Sequence, residues 1–346
     1  RIKEMLVGWL GQKKVLRDKV AGTMHVLMFW GFLMLGSDML DLASANYFSE
    51  HLLPSFLNNP WNGMVELGYT TALLGAFAAL TRRVLFTPEK LKGKSQLEGN
   101  FILVLILTIT STSFIIESPE NPSPFWEPFG YWVSGLGLSS TFIIASYWAH
   151  MVAICCFLIL IPVSKHMHLV MAIPNVFFHD TQAMGKMRPL ALGDDGKAVP
   201  LEDLDIDSFG VSTFDQYTWR QIIDGWSCTS CARCQDVCPA YESGKGLNPM
   251  QVIHDVRNYA NEHAPILLKG ENPEETMLAR ITSEAVWACT TCNACVDICP
   301  LYIEHVPKLT ELRRNAVMET MDYPEELNVA MGNLESASNP YGFGPH

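Results

Sequence analysis

The sequence predicts an all-α chain in two parts: a bundle of membrane-spanning helices, then a mostly helical water-soluble domain. Three observations carry this. The apolar residues crowd into roughly the first half, up to about residue 175, and there they fall into four separate long runs. The second half has ordinary soluble composition with an acidic balance. Its conspicuous feature is a pair of cysteine runs separated by segments of helical periodicity.

The four apolar runs cover Ala21 to Leu42, Gly63 to Phe86, Phe101 to Ile116 and Ser140 to Val163. A bilayer crossing needs about 20 apolar residues. A buried soluble helix could explain one such run, but not four in succession. Lys13, Lys14, Arg17 and Lys19 precede the first run. Arg82, Arg83, Lys90, Lys92 and Lys94 separate the second from the third, and Lys165, Lys186 and Arg188 follow the fourth. The loops 43–62 and 117–137 contain no Lys or Arg. Positive charge stays on the cytoplasmic side, so both ends of the block are expected there, with the soluble domain cytoplasmic and the chain a multi-pass protein of the cytoplasmic membrane. Trp126, Tyr131 and Trp132 are expected at the outer interface. No secretory signal peptide is apparent, because the first apolar run is too long and lacks a small-residue cleavage site.

Ionisable residues within a membrane are costly and mark function. His25 opens the first run near the cytoplasmic side; His150 and His168 belong to the fourth run and its extension. On one continuous helix, at about 100° per residue, His150 and His168 would share a face roughly 27 Å apart. Two histidines so stacked suit two haem irons. By depth, His25 pairs with His168 as a bis-His haem b. His150 needs another partner: His51, Met39 or a helix outside this sequence. A hydrogen-bonded packing histidine is the competing reading for each. Asp38, Asp41 and Glu66 read as interfacial residues, with quinol proton transfer as the alternative.

The residues from 175 to 217 are rich in Pro, Gly and Asp, including Leu192-Gly-Asp-Asp-Gly-Lys-Ala-Val-Pro200, and predict a turn-rich connection along the membrane surface. The three parts are thus 1–174, 175–217 and 218–346. Helices are expected from Thr218 to Trp226, Asn248 to Glu262, Glu275 to Trp287 and Pro307 to Glu319, with Pro249 at the first helical position of the second.

The cysteine runs are Cys228-Thr-Ser-Cys231-Ala-Arg-Cys234-Gln-Asp-Val-Cys238-Pro239 and Cys289-Thr-Thr-Cys292-Asn-Ala-Cys295-Val-Asp-Ile-Cys299-Pro300. Both follow the C-x₂-C-x₂-C-x₃-C-P spacing of ferredoxins with two [4Fe–4S] clusters, in which the fourth cysteine ligates the other cluster. Cys228, Cys231, Cys234 and Cys299 are therefore expected on one cluster, and Cys289, Cys292, Cys295 and Cys238 on the other. Disulfides would not need the rhythm or the trailing Pro, and zinc would want two well-separated pairs. Eight of the ten cysteines lie in these runs, which fits a reducing compartment. Cys155 and Cys156 lie within an apolar helix and read as small packing residues. The net charge of -12 argues against a nucleic-acid partner.

These residues carry a resemblance. Met24-His25 with Phe29-Trp30-Gly31-Phe32, and Ile161-Pro162-Val163-Ser164-Lys165-His166-Met167-His168 with His150 upstream, resemble the haem-b membrane subunit of respiratory nitrate reductase and the related membrane subunit of heterodisulfide reductase. That family has five helices and a further His ten residues after the first, where Leu35 stands here. The cysteine domain resembles the helical cluster domains of the iron–sulfur subunits of heterodisulfide reductase and of succinate dehydrogenase. Together, in this order, the two halves resemble the membrane-bound heterodisulfide-reductase-like iron–sulfur oxidoreductases, a family that includes electron-transfer-flavoprotein:menaquinone oxidoreductase candidates. Asn339-Pro340-Tyr341-Gly342 matches a stretch that in the family precedes cysteine-rich CCG repeats. The resemblance therefore implies a CCG-repeat catalytic domain or subunit as a partner, and sequence beyond one or both ends is expected.

No nucleophile, acid–base pair or nucleotide-binding glycine loop is visible, so redox chemistry would belong to the cofactors. The expected function is an electron relay between a cytoplasmic donor and membrane menaquinone, through two [4Fe–4S] clusters and haem b; the resemblance makes that donor an electron-transfer flavoprotein. Two alternatives stay open: a quinone-linked module serving a separate heterodisulfide-reductase-like subunit, and a structural anchor and relay with no substrate site.

Overall fold

The computed structural model describes residues 1–48, 58–86, 94–118, 122–191, 197–204 and 208–344. His51, Lys90, Lys92 and the turn residues 192–196 lie outside them. The described residues form helices and connecting turns without a β-strand. They divide into two compact units, residues 10–167 and residues 1–9 with 168–346.

The first unit contains four helices long and apolar enough to cross a membrane, within Lys19–Phe48, Asn58–Leu85, Lys94–Glu117 and Ser140–Val163. The first three overrun their apolar cores, because polar residues continue the backbone ladder into the interface where hydropathy no longer marks it. Each helix packs chiefly on its sequence neighbour. Small residues set the closeness of the first pair: a methyl group on Gly31 would stand 2.7 Å from the Gly68 carbonyl, and one on Gly75 would stand 2.9 Å from the Met24 carbonyl.

Between the third and fourth helices lies a short helix, Pro128–Ser134. Glu66, expected as an interfacial carboxylate, is buried and accepts hydrogen bonds from the amides of Phe129 (2.8 Å) and Gly130 (3.0 Å). Both oxygens thus hold the start of that short helix, satisfying donors that have no partner within it. Trp126, Tyr131 and Trp132 are exposed on this segment.

The fourth long helix does not run through to His168. Ser164 is extended (φ -119°, ψ 176°), Lys165–Met167 form a 3₁₀ turn, and His168 opens a new helix, His168–Phe177. Ser164 caps the restart by accepting from the His166 amide at 3.1 Å. Pro162, lacking an amide proton, weakens the helix just before the break. The expected alignment of His150 and His168 on one face counted turns along a continuous helix. An extended residue breaks that count.

The second unit is built around Val211, Phe214, Tyr217, Val256, Tyr259, Met277 and Leu312. Residues 211–217, expected in a surface connection, thus supply part of a core. The helix Trp219–Ser227 starts at Thr218 with a Thr218–Gln221 capping box. Asn248 caps Pro249–Glu262, with Pro249 at the first position as expected. The single helix expected over 275–287 is two, Met277–Ile281 and Ser283–Ala288. Thr282 separates them at φ 71° and caps the second by accepting from Ala285. The last helix of this group, His305–Met318, holds Pro307 within its first turn.

A buried polar network ties the unit together. Arg220 donates to Asp224 (2.7 Å), Asn175 (2.6 Å) and Glu304 (3.3 Å), and Lys308 donates to Asp224. Asn175 also donates to the Leu301 carbonyl (2.8 Å). Burial disfavours the charge on Asp224, but Lys308 and Arg220 outweigh it and hold the carboxyl below its ordinary pKa.

Candidate metal centre

The two cysteine loops are built alike. Each first cysteine ends a helix in extended backbone: Cys228 at φ -68°, ψ 124°, and Cys289 at φ -71°, ψ 124°. Two residues later stand left-handed Ser230 and Thr291, and two later again left-handed Ala232 and Asn293. Four non-glycine residues in that region, one of them β-branched, mark imposed backbone strain. Such alternation turns backbone amides toward a common concavity of the kind that receives iron–sulfur clusters. A short helix follows each loop, Arg233–Asp236 and Ala294–Ile298. Cys238 and Cys299 then return to extended backbone before proline.

The chain crosses between the loops. Cys228, Cys231, Cys234 and Cys299 line one cavity, with Met250, Ile303 and His305 among its other walls. Cys238 neighbours Cys289 and Cys295, and Cys292 lies with them. The two groups meet where Cys234 and Cys295 pack with Val306. Among the described residues, no three His, Cys, Asp or Glu side chains converge on a single-ion position. The first four sulfurs ring a space, as suits a group whose irons each take one sulfur.

Burial makes Cys228, Cys234, Cys289, Cys295 and Cys299 poor acids. It pushes Cys228 up to about 11 and Cys295 and Cys299 up to about 12, and the neighbouring sulfurs add to the shift in each. Ionising them requires a cationic group among them, and iron is such a group.

Two arginines, not picked out from the sequence, repeat the symmetry. Arg313, eight residues after His305, donates to the carbonyls of Val286 (2.7 Å) and Cys289 (2.5 Å). Arg257, eight residues after Pro249, packs against Gly225 and lies near Cys228. His254, on the same helix as Arg257, was also unforeseen. Its Nε2 stands 3.0 Å from Ser230 Oγ and 3.7 Å from Cys228 Sγ. Aligning the helices that follow each cysteine run would have exposed the arginine pair; nothing in the sequence marked His254.

The histidines of the membrane half are placed separately. His25 lies on the first long helix, its ring stacked on Phe29 (centroids 6.4 Å apart, 15° between planes). His150, on the fourth, contacts Thr112 Oγ1 (2.9 Å) and the Ile109 carbonyl (3.2 Å) through Nδ1. A carbonyl only accepts, so the contact with Ile109 puts the proton on Nδ1 and the lone pair on Nε2, the form a metal-ligating imidazole takes. His168 begins the second unit, and Met39 is exposed on the first helix.

Residues 220–300 match the family model of the 4Fe-4S dicluster domain. Along 99% of its length the chain is 28% identical to the EtfAB:quinone oxidoreductase of Syntrophomonas wolfei, covering 52% of that protein. Also along 99%, it is 27% identical to the probable iron-sulfur-binding oxidoreductase FadF of Bacillus subtilis, covering 53%. A third of the chain is 34% identical to one subunit of the ferredoxin:CoB-CoM heterodisulfide reductase of Methanosarcina mazei, over 59% of that subunit. The chain spans about half the length of the first two relatives. No solved structure matches it. The chain is thus similar to iron–sulfur oxidoreductases, matches a 4Fe-4S dicluster domain over residues 220–300, and has four helices long and apolar enough to cross a membrane.

Proposed function

We propose that this chain relays electrons between a cytoplasmic donor, an electron-transfer flavoprotein, and menaquinone in the membrane. The observation that carries the reading is the crossed pair of cysteine cages, Cys228, Cys231, Cys234 with Cys299, and Cys289, Cys292, Cys295 with Cys238, on a chain that also holds four potential spans. Each cage would hold one [4Fe–4S] cluster, which supplies one-electron chemistry at a potential set by its surroundings. His25 and His168 would hold a haem b, and His150, oriented by Ile109 and Thr112, would serve a second. The protein's own part is to fix these positions and to bury Cys228, Cys234, Cys238, Cys295 and Cys299.

The flavoprotein and the quinone come from the name of the Syntrophomonas relative; the choice of menaquinone rests on the resemblance drawn from sequence. Cytoplasmic placement of the cluster domain rests on the lysines and arginines that flank the spans. A second reading has a specific support, the likeness to the Methanosarcina heterodisulfide reductase: the same relay would then serve a separate catalytic subunit or a CCG-repeat domain.

The test is to purify the full chain, count iron, sulfide and haem, and add reduced electron-transfer flavoprotein with a menaquinone analogue. Eight irons, one or two haems, and quinone reduction that requires the flavoprotein are expected. A colourless protein without iron would end the proposal. Clusters present but inert to the flavoprotein would favour the second reading.

A further inference from the structure

The two cages differ in one respect that bears on the direction of electron flow. Their arginines correspond, Arg257 near Cys228 and Arg313 near Cys289, and each favours the thiolate beside it. Five residues into the same two helices the correspondence fails. The helix Pro249–Glu262 has His254 there, in contact with Cys228 Sγ and Ser230 Oγ. The helix His305–Met318 has Thr310, which donates to the Val306 carbonyl in its own helix instead. Beside the first cage Asp224 and Glu304 pair with Arg220 and Lys308, and of these four Asp224 is felt at Cys228, where it opposes Arg257.

We infer that His254 donates its Nε2 proton to the cluster ligand Cys228 and sets that cluster's potential above that of the other. This rests on the cluster reading given above. A cluster-bound thiolate only accepts hydrogen bonds. Reduction adds one negative charge to the cage, so a donor at a sulfur favours the reduced form.

The asymmetry has a direction. The first cage adjoins the helix His168–Phe177: Ser227, just before Cys228, donates to the Met171 carbonyl, and Asn175 reaches the Leu301 carbonyl just after Cys299-Pro300. That helix joins the cluster domain to the fourth span in sequence. An electron entering at the Cys289 cage therefore moves downhill to the Cys228 cage, the one that adjoins the helix His168–Phe177. His254 is a positioning residue for the charge on the sulfur, not a ligand.

The experiment is an EPR-monitored redox titration of the purified full chain. Cys231→Ser and Cys292→Ser assign each signal to its cage. The first-cage signal should have the higher midpoint. His254→Leu should lower that midpoint by about tenfold in the reduction equilibrium, about 59 mV for one electron, with the other signal unmoved. His254→Gln, which keeps a donor, should recover part of the loss. If His254→Leu fails to assemble, ¹⁵N-histidine labelling of a His305→Gln protein decides: His305 also lines the first cage, so with it removed a histidine nitrogen coupling on the first-cage signal alone belongs to His254. An unchanged midpoint, an equal shift of both signals, or no histidine coupling would overturn the inference. Absence of iron and sulfide from the unsubstituted protein would instead defeat the cluster reading.

Discussion

Lys308 donates to Asp224 with both side chains fully withdrawn from solvent, joining the helix before the first cysteine loop to the helix after the second. Removing one partner of such a pair leaves a buried charge with less compensation, which costs roughly 3–5 kcal/mol. Lys308→Met should therefore lower the urea midpoint of the cluster domain sharply. The double variant Asp224→Asn with Lys308→Met should recover much of the loss, because neither charge then stays buried alone. Additive losses in the double variant would contradict the pairing.

The same carboxylate predicts a pH dependence. The folded pKa of Asp224 lies below its ordinary value, so its contribution is fully present above the unfolded value of about 3.9. It fades as pH falls through the lower folded pKa. Stability measured on the acid side should thus fall with pH, and Asp224→Asn should flatten that part of the curve. An unaltered slope in the variant would assign the acid lability to other carboxylates.

Cysteine crossing has its own signature. Cys299→Ser should disturb the cluster held by Cys228, Cys231 and Cys234, although Cys299 belongs to the second run in sequence. Cys238→Ser should disturb the cluster of the second run. Iron content, near eight per chain beforehand, should fall by up to half in each, with the EPR signal of the expected cage altered. Damage confined to each residue's own run would refute the crossing.

How much of this was legible in sequence follows from which forces act locally. Ligand spacing and long apolar runs are local patterns, so the loops and spans could be read directly, and capping residues such as Asn248 before Pro249 placed a helix start closely. The break at Ser164 was invisible to a count of turns, because an apolar run looks alike whether or not the backbone stays helical. Glu66 read as interfacial since its partners, the amides of Phe129 and Gly130, lie more than sixty residues away. His254 and Lys308 acquire their surroundings only when distant helices pack.

For the membrane half, His25→Ala and His168→Ala should each abolish the same haem if these two residues share one iron. The reduced-minus-oxidised spectrum of membranes carrying each variant should lose the same band, with iron–sulfur EPR retained. Loss of different bands, or of none, would disprove the shared iron.

His150 gives the last test. Its Nδ1 contact to Ile109 is a backbone interaction that substitution cannot remove, but the Thr112 hydroxyl can be deleted. Groups that orient a ligating imidazole typically affect metal affinity about 10–100-fold. Thr112→Val should therefore weaken a haem bound at His150 without abolishing it, while His150→Ala should remove it entirely and leave the His25 and His168 haem in place. Haem titration into apo-protein, with pyridine haemochrome counts before and after, measures both. A packing histidine would behave otherwise: His150→Ala would lower thermal stability, and the haem count would be the same in both variants as in the unsubstituted chain.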